Sequence, residues 1–325
     1  MKDQINPRFS SNNRDALKRA RRKALPLPSV LEIHPSPICQ LHCVYCHSLS
    51  SVLENTLYDN QDTLLEPSEY LRLFIEFSTL GGKELVISGG GEPFLYPQII
   101  DVIHHGFECG LRPHIYTNGY TKRFFEASKL GDWLPNIASI RFSIHKTNKM
   151  EIPLQSLHNV ILNRMQTGIF AKIHASILVD TFSHEELINY IDILLKLCVD
   201  AIELRIIIPS SSETRQLLVD SYNNIATQFK SSKIVTRISS SIPSVPLKCF
   251  SLYRNIVVDP FGGYRLCCMR AHYPHNDFSY IVSLQDKKLN AALKMGMENM
   301  QSGGSAVCEL CSARDSYFSR KVTTP

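Results

Sequence analysis

Apolar positions along the chain follow two alternating patterns. Short runs rich in Ile, Val and Leu, bounded by Gly, Pro, Asn or Asp, predict strands at 29–34, 84–88, 114–118, 139–144, 172–179 and 201–208. Between them lie longer stretches with apolar residues at helical spacing. One opens at Pro67, suited to a first helical position, and carries Leu71, Phe74, Ile75 and Phe77. Another opens with Ser183 and Glu186 at capping-box spacing and runs through Leu187, Ile191, Leu194 and Leu195. Such alternation predicts a parallel sheet with right-handed crossovers. Six units predict an α/β fold, an open, partial (β/α)6 TIM-like barrel over residues 29–230, with chemistry at the carboxyl ends of the strands.

Beyond residue 208 the pattern changes. Residues 210–230 read as helical, and 231–246, rich in Ser and Pro, as a linker. Two apolar runs, 255–258 and 264–266, flank Asp259-Pro-Phe-Gly-Gly263 and predict a β-hairpin, with a helix to follow near 284–301. Residues 247–325 thus read as a small, cysteine-rich C-terminal domain of hairpin plus helix. No internal repeat or low-complexity tract interrupts the chain.

Composition narrows the class. With 325 residues and 44% apolar content, the chain can build one large domain, or one large and one small. No segment approaches the roughly 18 apolar residues of a membrane span, and the N-terminus lacks the apolar core of a secretory signal. A cytoplasmic protein without a membrane partner is expected. The net charge of +5 is concentrated in an N-terminal arm, residues 1–28, through Arg8, Arg14, Lys18, Arg19, Arg21, Arg22 and Lys23. A solvated basic helix accounts for this arm, and a nucleic-acid partner is not expected.

Ten cysteines are many for such a chain. A secreted disulfide framework suits a short chain with a signal peptide, so metal-bound thiolates in a reducing compartment fit better. Seven fall into two groups: Cys39, Cys43 and Cys46, then Cys249, Cys267, Cys308 and Cys311. Cys109 and Cys198 fall in helical stretches and read as core, and Cys268 adjoins a candidate ligand.

The first group lies in the loop just after the first strand. Zinc usually takes four ligands, often as two C-x-x-C pairs. Three thiolates on a 4Fe–4S cluster leave one iron open to a substrate. A zinc knob completed by His42 or His47 is the alternative. Gly89-Gly90-Gly91-Glu92-Pro93 follows the second strand, where glycines allow close backbone approach and a carboxylate can meet an amine. Thr117-Asn118-Gly119 ends the third strand, Ser143 ends the fourth, and His145 lies two residues on. Each of these also suits a strand-end cap. The four later cysteines can complete a zinc site or a cluster without an open iron, and spacing alone does not choose.

These motifs resemble the radical S-adenosylmethionine superfamily, from the first strand to the sixth. The C-x-x-x-C-x-x-C spacing is that family's signature, and Tyr45 fills its aromatic position before the third cysteine. The resemblance implies that a 4Fe–4S cluster on Cys39, Cys43 and Cys46 cleaves S-adenosylmethionine to a 5′-deoxyadenosyl radical, which abstracts a hydrogen. It places Tyr45 against the adenine. It gives Gly90, Gly91 and Glu92 the methionine amino group and Ser143 the ribose, with Asn118 and His145 adjoining. The arginine that relatives offer to the methionine carboxylate has no clean equivalent; Lys146, Lys149 and Arg205 are the candidates.

The later cysteines resemble the Twitch domain, the shortened SPASM form. That implies one auxiliary 4Fe–4S cluster on Cys249, Cys267, Cys308 and Cys311, two clusters in total, and a flavodoxin- or ferredoxin-type electron donor. An auxiliary cluster with four protein ligands would accept or relay an electron. Cys268 would donate a hydrogen atom to a substrate radical, or pack as a small thiol. Twitch-bearing relatives include aminocyclitol dehydrogenases and enzymes that modify ribosomally made peptides. Only 38 residues precede Cys39, too few for a folded leader-binding module. This tilts expectation toward oxidation of a small sugar or aminocyclitol. Epimerisation or cross-linking of a peptide is the alternative, and a zinc-stabilised nucleic-acid-binding protein the remote one.

Overall fold

A computed structural model describes residues 27–41, 43, 46, 64–147, 149–205, 220, 224–225, 227–229, 231, 233–236, 251–266 and 280–301. In chain order it runs β1 (Val30–Ile33), α1 (Pro67–Thr79), β2 (Glu84–Ile87), α2 (Ile99–Glu108), β3 (Arg112–Thr117), α3 (Ala127–Trp133), β4 (Ser139–Ile144), α4 (Glu151–Thr167), β5 (Lys172–Leu178), α5 (His184–Lys196) and β6 (Ala201–Arg205). Then follow β7 (Ile234–Thr236), β8 (Asn255–Val258), β9 (Gly263–Arg265), β10 (Tyr280–Ser283) and α6 (Leu289–Gln301). All six sequence-predicted strands form. Residues 206–208 of the sixth, and most of 210–230, lie outside the described residues.

Among the described residues the strands make one sheet, ordered β10-β9-β8-β1-β2-β3-β4-β5-β6-β7. Strands β1 to β7 pair in parallel, as the five intervening helices require. Alternate residues on each strand face opposite sides. Leu31, Ile33, Leu85, Ile87, Ile115, Ile140, Phe142, Ile144, Ile173, Ile177, Ile202 and Leu204 join the helices in one apolar core. The other set is also buried and carries Glu32, Glu84, His114, Arg141, His174 and Glu203 beside a small apolar cluster of Val30, Val86 and Tyr116. Buried charge needs partners, and these residues supply them. Glu84 accepts from Arg112 at 3.1 Å and pairs with His114 at 2.7 Å, whose other nitrogen meets Ser139 at 2.7 Å. Arg141 donates to Glu203 at 3.3 Å and lies 3.6 Å over the Tyr116 ring.

Both helix starts expected from sequence form, Pro67 as the first residue of α1 and the capping box of α5. Glu66 and Glu69 exchange hydrogen bonds at the start of α1 with Pro67 as its first residue, and Ser183 and Glu186 do so at α5. The buried stripe of α1 is Tyr70, Leu73, Phe74 and Phe77. Ile75 was expected on that stripe. It is 51% exposed, because it lies one residue, about 100° of helix, past Phe74.

Three further expectations change. Ile234–Thr236, inside the stretch read as a linker, is strand β7 and pairs with β6. Cys198 is not core: it is exposed at φ +61° in the turn after α5. The C-terminal hairpin does not stand apart. Strand β8 pairs in parallel with β1, Val30 beside Asn255 through Ile33 beside Val258. It thereby covers what would be an open edge. Further bonds fix it: Leu65 N–H to Pro260 O at 3.2 Å, Arg72 to Leu284 O at 3.1 Å, and Leu289 N–H to Glu76 at the start of α6 at 2.8 Å. Among the described residues no helix is long and apolar enough to cross a membrane.

Candidate functional site

The loops after β1, β2 and β3 meet at the carboxyl end of the sheet. From β1 the chain runs through His34 to Cys39. The loop after β2 returns against it: Gly91 N–H donates to Ser36 O at 3.1 Å, and Glu92 N–H to Ile38 O at 2.8 Å. A Cβ on Gly91 would stand 2.2 Å from Ile38 O and 2.6 Å from Ser36 O. Only glycine allows this approach. The glycine run therefore serves first to bring Glu92 beside the cysteine loop.

Cys46 N–H donates to Cys43 O at 2.9 Å, a turn that carries two thiols, and Leu41 N–H points at Cys39 Sγ at 3.4 Å. The Cys39 thiol is pushed up to about 11. Burial is the main cause. The Leu41 N–H opposes it, and the charges of Glu92, Cys43 and Cys46 add to it. The three cysteines and Glu92 thus share one electrostatic environment that resists added negative charge, so the Cys39 thiol keeps its proton until a metal centre displaces it. That donor set fits a cluster. Among the described residues no three His, Cys, Asp or Glu side chains close on a single metal ion. Thiolates that each bind a different iron of a cluster need not do so.

Glu92 is only 2% exposed. Its Oε1 accepts from Thr117 Oγ1 at 2.7 Å and Phe94 N–H at 3.2 Å, and its Oε2 from Asn118 N–H at 2.7 Å. Burial outweighs these three donors and lifts its pKa to about 7. Phe94, two residues on, anchors the loop by packing on Phe124, Phe125 and Trp133 at centroid distances of 5.2, 5.0 and 5.2 Å. Asn118 ends β3. Its Oδ1 accepts from Tyr120 N–H at 2.9 Å, and its Nδ2 lies 3.5 Å from Cys39 Sγ.

Across the sheet, Ser143 and His145 end β4, both half-buried. Burial first, then the charges of Arg205 and Arg141, push the His145 pKa down to about 4, so its ring is neutral at physiological pH. Of the three carboxylate candidates, Arg205 is the one whose charge reaches His145. Lys146 is paired with Glu186 at 2.6 Å, and Lys149 is exposed. Tyr45, Cys249, Cys267, Cys268, Cys308 and Cys311 lie outside the described residues. Sequence reasoning missed Arg141, Glu203 and the Glu84–His114–Ser139 chain. The signal was present as polar residues at every second position of apolar runs, as in Ser139-Ile-Arg-Phe-Ser-Ile144.

Residues 33–178 match the model of the radical SAM superfamily. PqqA peptide cyclase of Methylorubrum extorquens (strain PA1) is 31% identical over 103 residues, 29% of this chain and 25% of the relative. AdoMet-dependent heme synthase of Methanosarcina barkeri is 32% identical over 83 residues, 25% of this chain and 21% of the relative. The chain therefore spans about a quarter of the length of the curated relatives it matches. In structure, Streptococcus suis SuiB bound to precursor peptide SuiA superposes with a TM-score of 0.67 at 15% identity, over 92% of this chain and 74% of that one. This likeness concerns the fold.

Proposed function

Because residues 33–178 match the model of the radical SAM superfamily, we propose that this chain is a radical SAM enzyme that cleaves S-adenosylmethionine reductively and abstracts a hydrogen from a natural-product substrate. One observation carries the reading: the Gly91 and Glu92 backbone bonds that fuse the cysteine loop to a buried carboxylate. Cys39, Cys43 and Cys46 would hold a 4Fe–4S cluster by three thiolates. When bound, the cluster supplies the electron that breaks the sulfonium C–S bond and releases the 5′-deoxyadenosyl radical. That electron comes from a flavodoxin- or ferredoxin-type donor.

The chain's own residues bind and orient. Glu92 Oε1 accepts from two donors and Oε2 from one, so Oε2 keeps a lone pair for the methionine amine. Gly90 and Gly91 bring backbone to the same amine, and Tyr45 covers the adenine. Ser143 takes the ribose, with the neutral His145 beside it. Arg205 meets the carboxylate. Its charge at His145 supports this choice over Lys146, which Glu186 holds at the surface.

Cys249, Cys267, Cys308 and Cys311 would hold an auxiliary 4Fe–4S cluster, which would supply an acceptor for the electron left by substrate oxidation. Cys268 either donates a hydrogen atom or packs. For the substrate we favour a ribosomally made peptide, because the stretch matched at 31% identity belongs to a peptide cyclase. A sugar or aminocyclitol is the competing substrate.

Anaerobic reconstitution tests the chemistry. Roughly eight irons per chain with equal acid-labile sulfide are expected for two clusters, together with 5′-deoxyadenosine formation that Cys39→Ala abolishes. Stoichiometric zinc without sulfide would overturn the reading. A mass change in a precursor peptide encoded beside the gene supports the peptide substrate, and turnover of an aminocyclitol would replace it.

A further inference from the structure

The site contains one contact that binding of S-adenosylmethionine does not require. The side-chain amide of Asn118, 8% exposed, has its Nδ2 3.5 Å from the sulfur of Cys39, 79 residues away in sequence. Amide oxygen and nitrogen are assigned from their surroundings, since the two ends look alike. Here the assignment has one solution. Tyr120 contributes a backbone N–H at 2.9 Å, which only an acceptor can meet, so Oδ1 must face it. Nδ2 then faces Cys39. Gln40 reinforces this orientation with a reciprocal amide pair: its Nε2 donates to Asn118 Oδ1 at 3.3 Å, and its Oε1 accepts from Asn118 Nδ2 at 3.4 Å. Gln40 is held in turn by Thr121 Oγ1 at 3.4 Å. The donor is therefore locked on the sulfur.

We infer that Asn118 is a positioning residue that sets how readily the cluster accepts its electron, by holding an N–H donor on the Cys39 sulfur. The inference rests on the reading that Cys39 is a cluster ligand. Taking up one electron from the external reductant makes the cluster and its thiolates more negative, and no bond forms or breaks in this step. A hydrogen bond to a more negative acceptor is stronger, and low-dielectric surroundings amplify it. Hydrogen bonds to cluster sulfurs are among the factors that set the reduction potential. Asn118 thus stabilises the reduced state over the oxidised one. Its main-chain N–H meanwhile holds Glu92. One residue therefore tunes electron uptake with its side chain and positions the amine-binding carboxylate with its backbone.

The test is a potentiometric titration of the anaerobically reconstituted full-length protein. It is followed by the electron paramagnetic resonance signal that changes on addition of S-adenosylmethionine, which isolates this cluster from any other. Asn118→Leu removes the donor. At a fixed ambient potential the reduced-to-oxidised ratio should fall roughly tenfold, a lowering of about 59 mV for a one-electron couple. Asn118→Asp keeps the acceptor for Tyr120 N–H, so the turn survives even if the leucine variant misfolds. It should shift the potential the same way and further, because it adds negative charge. Potentials equal to wild type in both variants, at full iron and sulfide content, overturn the inference alone. A wild-type protein without a signal that S-adenosylmethionine perturbs overturns the cluster reading, and the inference with it.

Discussion

Glu92 offers the sharpest quantitative test of the site. Its pKa of about 7 leaves about nine-tenths of the carboxylate ionised at pH 8 and about one-tenth at pH 6. Only the ionised form offers its remaining Oε2 lone pair to an amine at full strength. The Glu92 term alone should therefore lower affinity for S-adenosylmethionine about tenfold from pH 8 to pH 6, about 1.4 kcal/mol, and protonation of the ligand amine works against it. The ligand's own amine titrates near the α-amino range of about 7.7–8.0 and adds a slope of its own. Glu92→Gln separates the two, because the variant retains only the ligand's slope. Isothermal titration of reconstituted protein at pH 6, 7 and 8 gives both slopes, and the ratio of wild-type to variant affinity should drop about tenfold from pH 8 to pH 6. Equal slopes would refute the assignment of Glu92 to the amine. The same shift has a stability consequence. The folded pKa lies above the ordinary 4.5, so the folded state binds the proton more tightly than the unfolded state does. The resulting stabilisation is fully present below pH 4.5 and is lost as pH rises through 7, about 3 kcal/mol in all. Glu92→Gln should flatten that part of the pH–stability curve of the unliganded protein. It also turns an amide N–H toward Asn118 N–H, at a constant cost of about 1–3 kcal/mol.

Other substitutions probe the remaining contacts. Gly91→Ala puts a Cβ against Ile38 O, and because backbone cannot yield as a side chain can, iron incorporation at the triplet should drop severalfold while circular dichroism still reports a folded barrel. Arg141→Met leaves Glu203 buried without its charged partner and should destabilise by about 3–5 kcal/mol in urea denaturation, with much of the loss recovered when Glu203→Leu is added. Arg205→Ala should weaken S-adenosylmethionine binding at least tenfold while circular dichroism still reports a folded barrel. Lys146→Ala, which removes only an exposed pairing with Glu186, should change neither.

How much of this was legible in the chain depends on the range of each contact. Strands β1 to β6 were readable because each is a short apolar run between breakers, the start of α1 because proline suits a first helical position, and the Ser183 cap because it spans four residues. The cysteine triplet and the glycine–glutamate run were visible as motifs from their spacing, and their proposed roles came only from the family resemblance. Strand β7 was not: three residues, Ile234–Thr236, give too short a period to stand out from their Ser-rich surroundings. Nor was the seat of the hairpin, since β8 meets β1 across more than 200 residues of chain. A period-2 pattern tells which residues share a face and never which strand lies alongside. The same limit hid the Asn118 contact with Cys39. The motif Thr117-Asn118-Gly119 reads as a strand end whichever loop it faces.

The contacts that were hidden are also the ones that join the parts of the site. Cys39, Glu92 and Asn118 leave the carboxyl ends of β1, β2 and β3, three adjacent strands. Ser36 O and Ile38 O hold the Glu92 loop, Asn118 N–H holds the Glu92 carboxylate, and Asn118 Nδ2 holds the Cys39 sulfur. These contacts close a ring, so no member moves without shifting the other two. Groups in one such network do not contribute additively. Removing the Asn118 donor must loosen the amine site, and neutralising Glu92 must change the field at Cys39, where its charge already acts. Under the proposal, accepting an electron and holding the molecule to be cleaved fall to one hydrogen-bonded unit. On the proposed assignment, that coupling ties the cysteine loop to Gly91, Glu92 and Asn118.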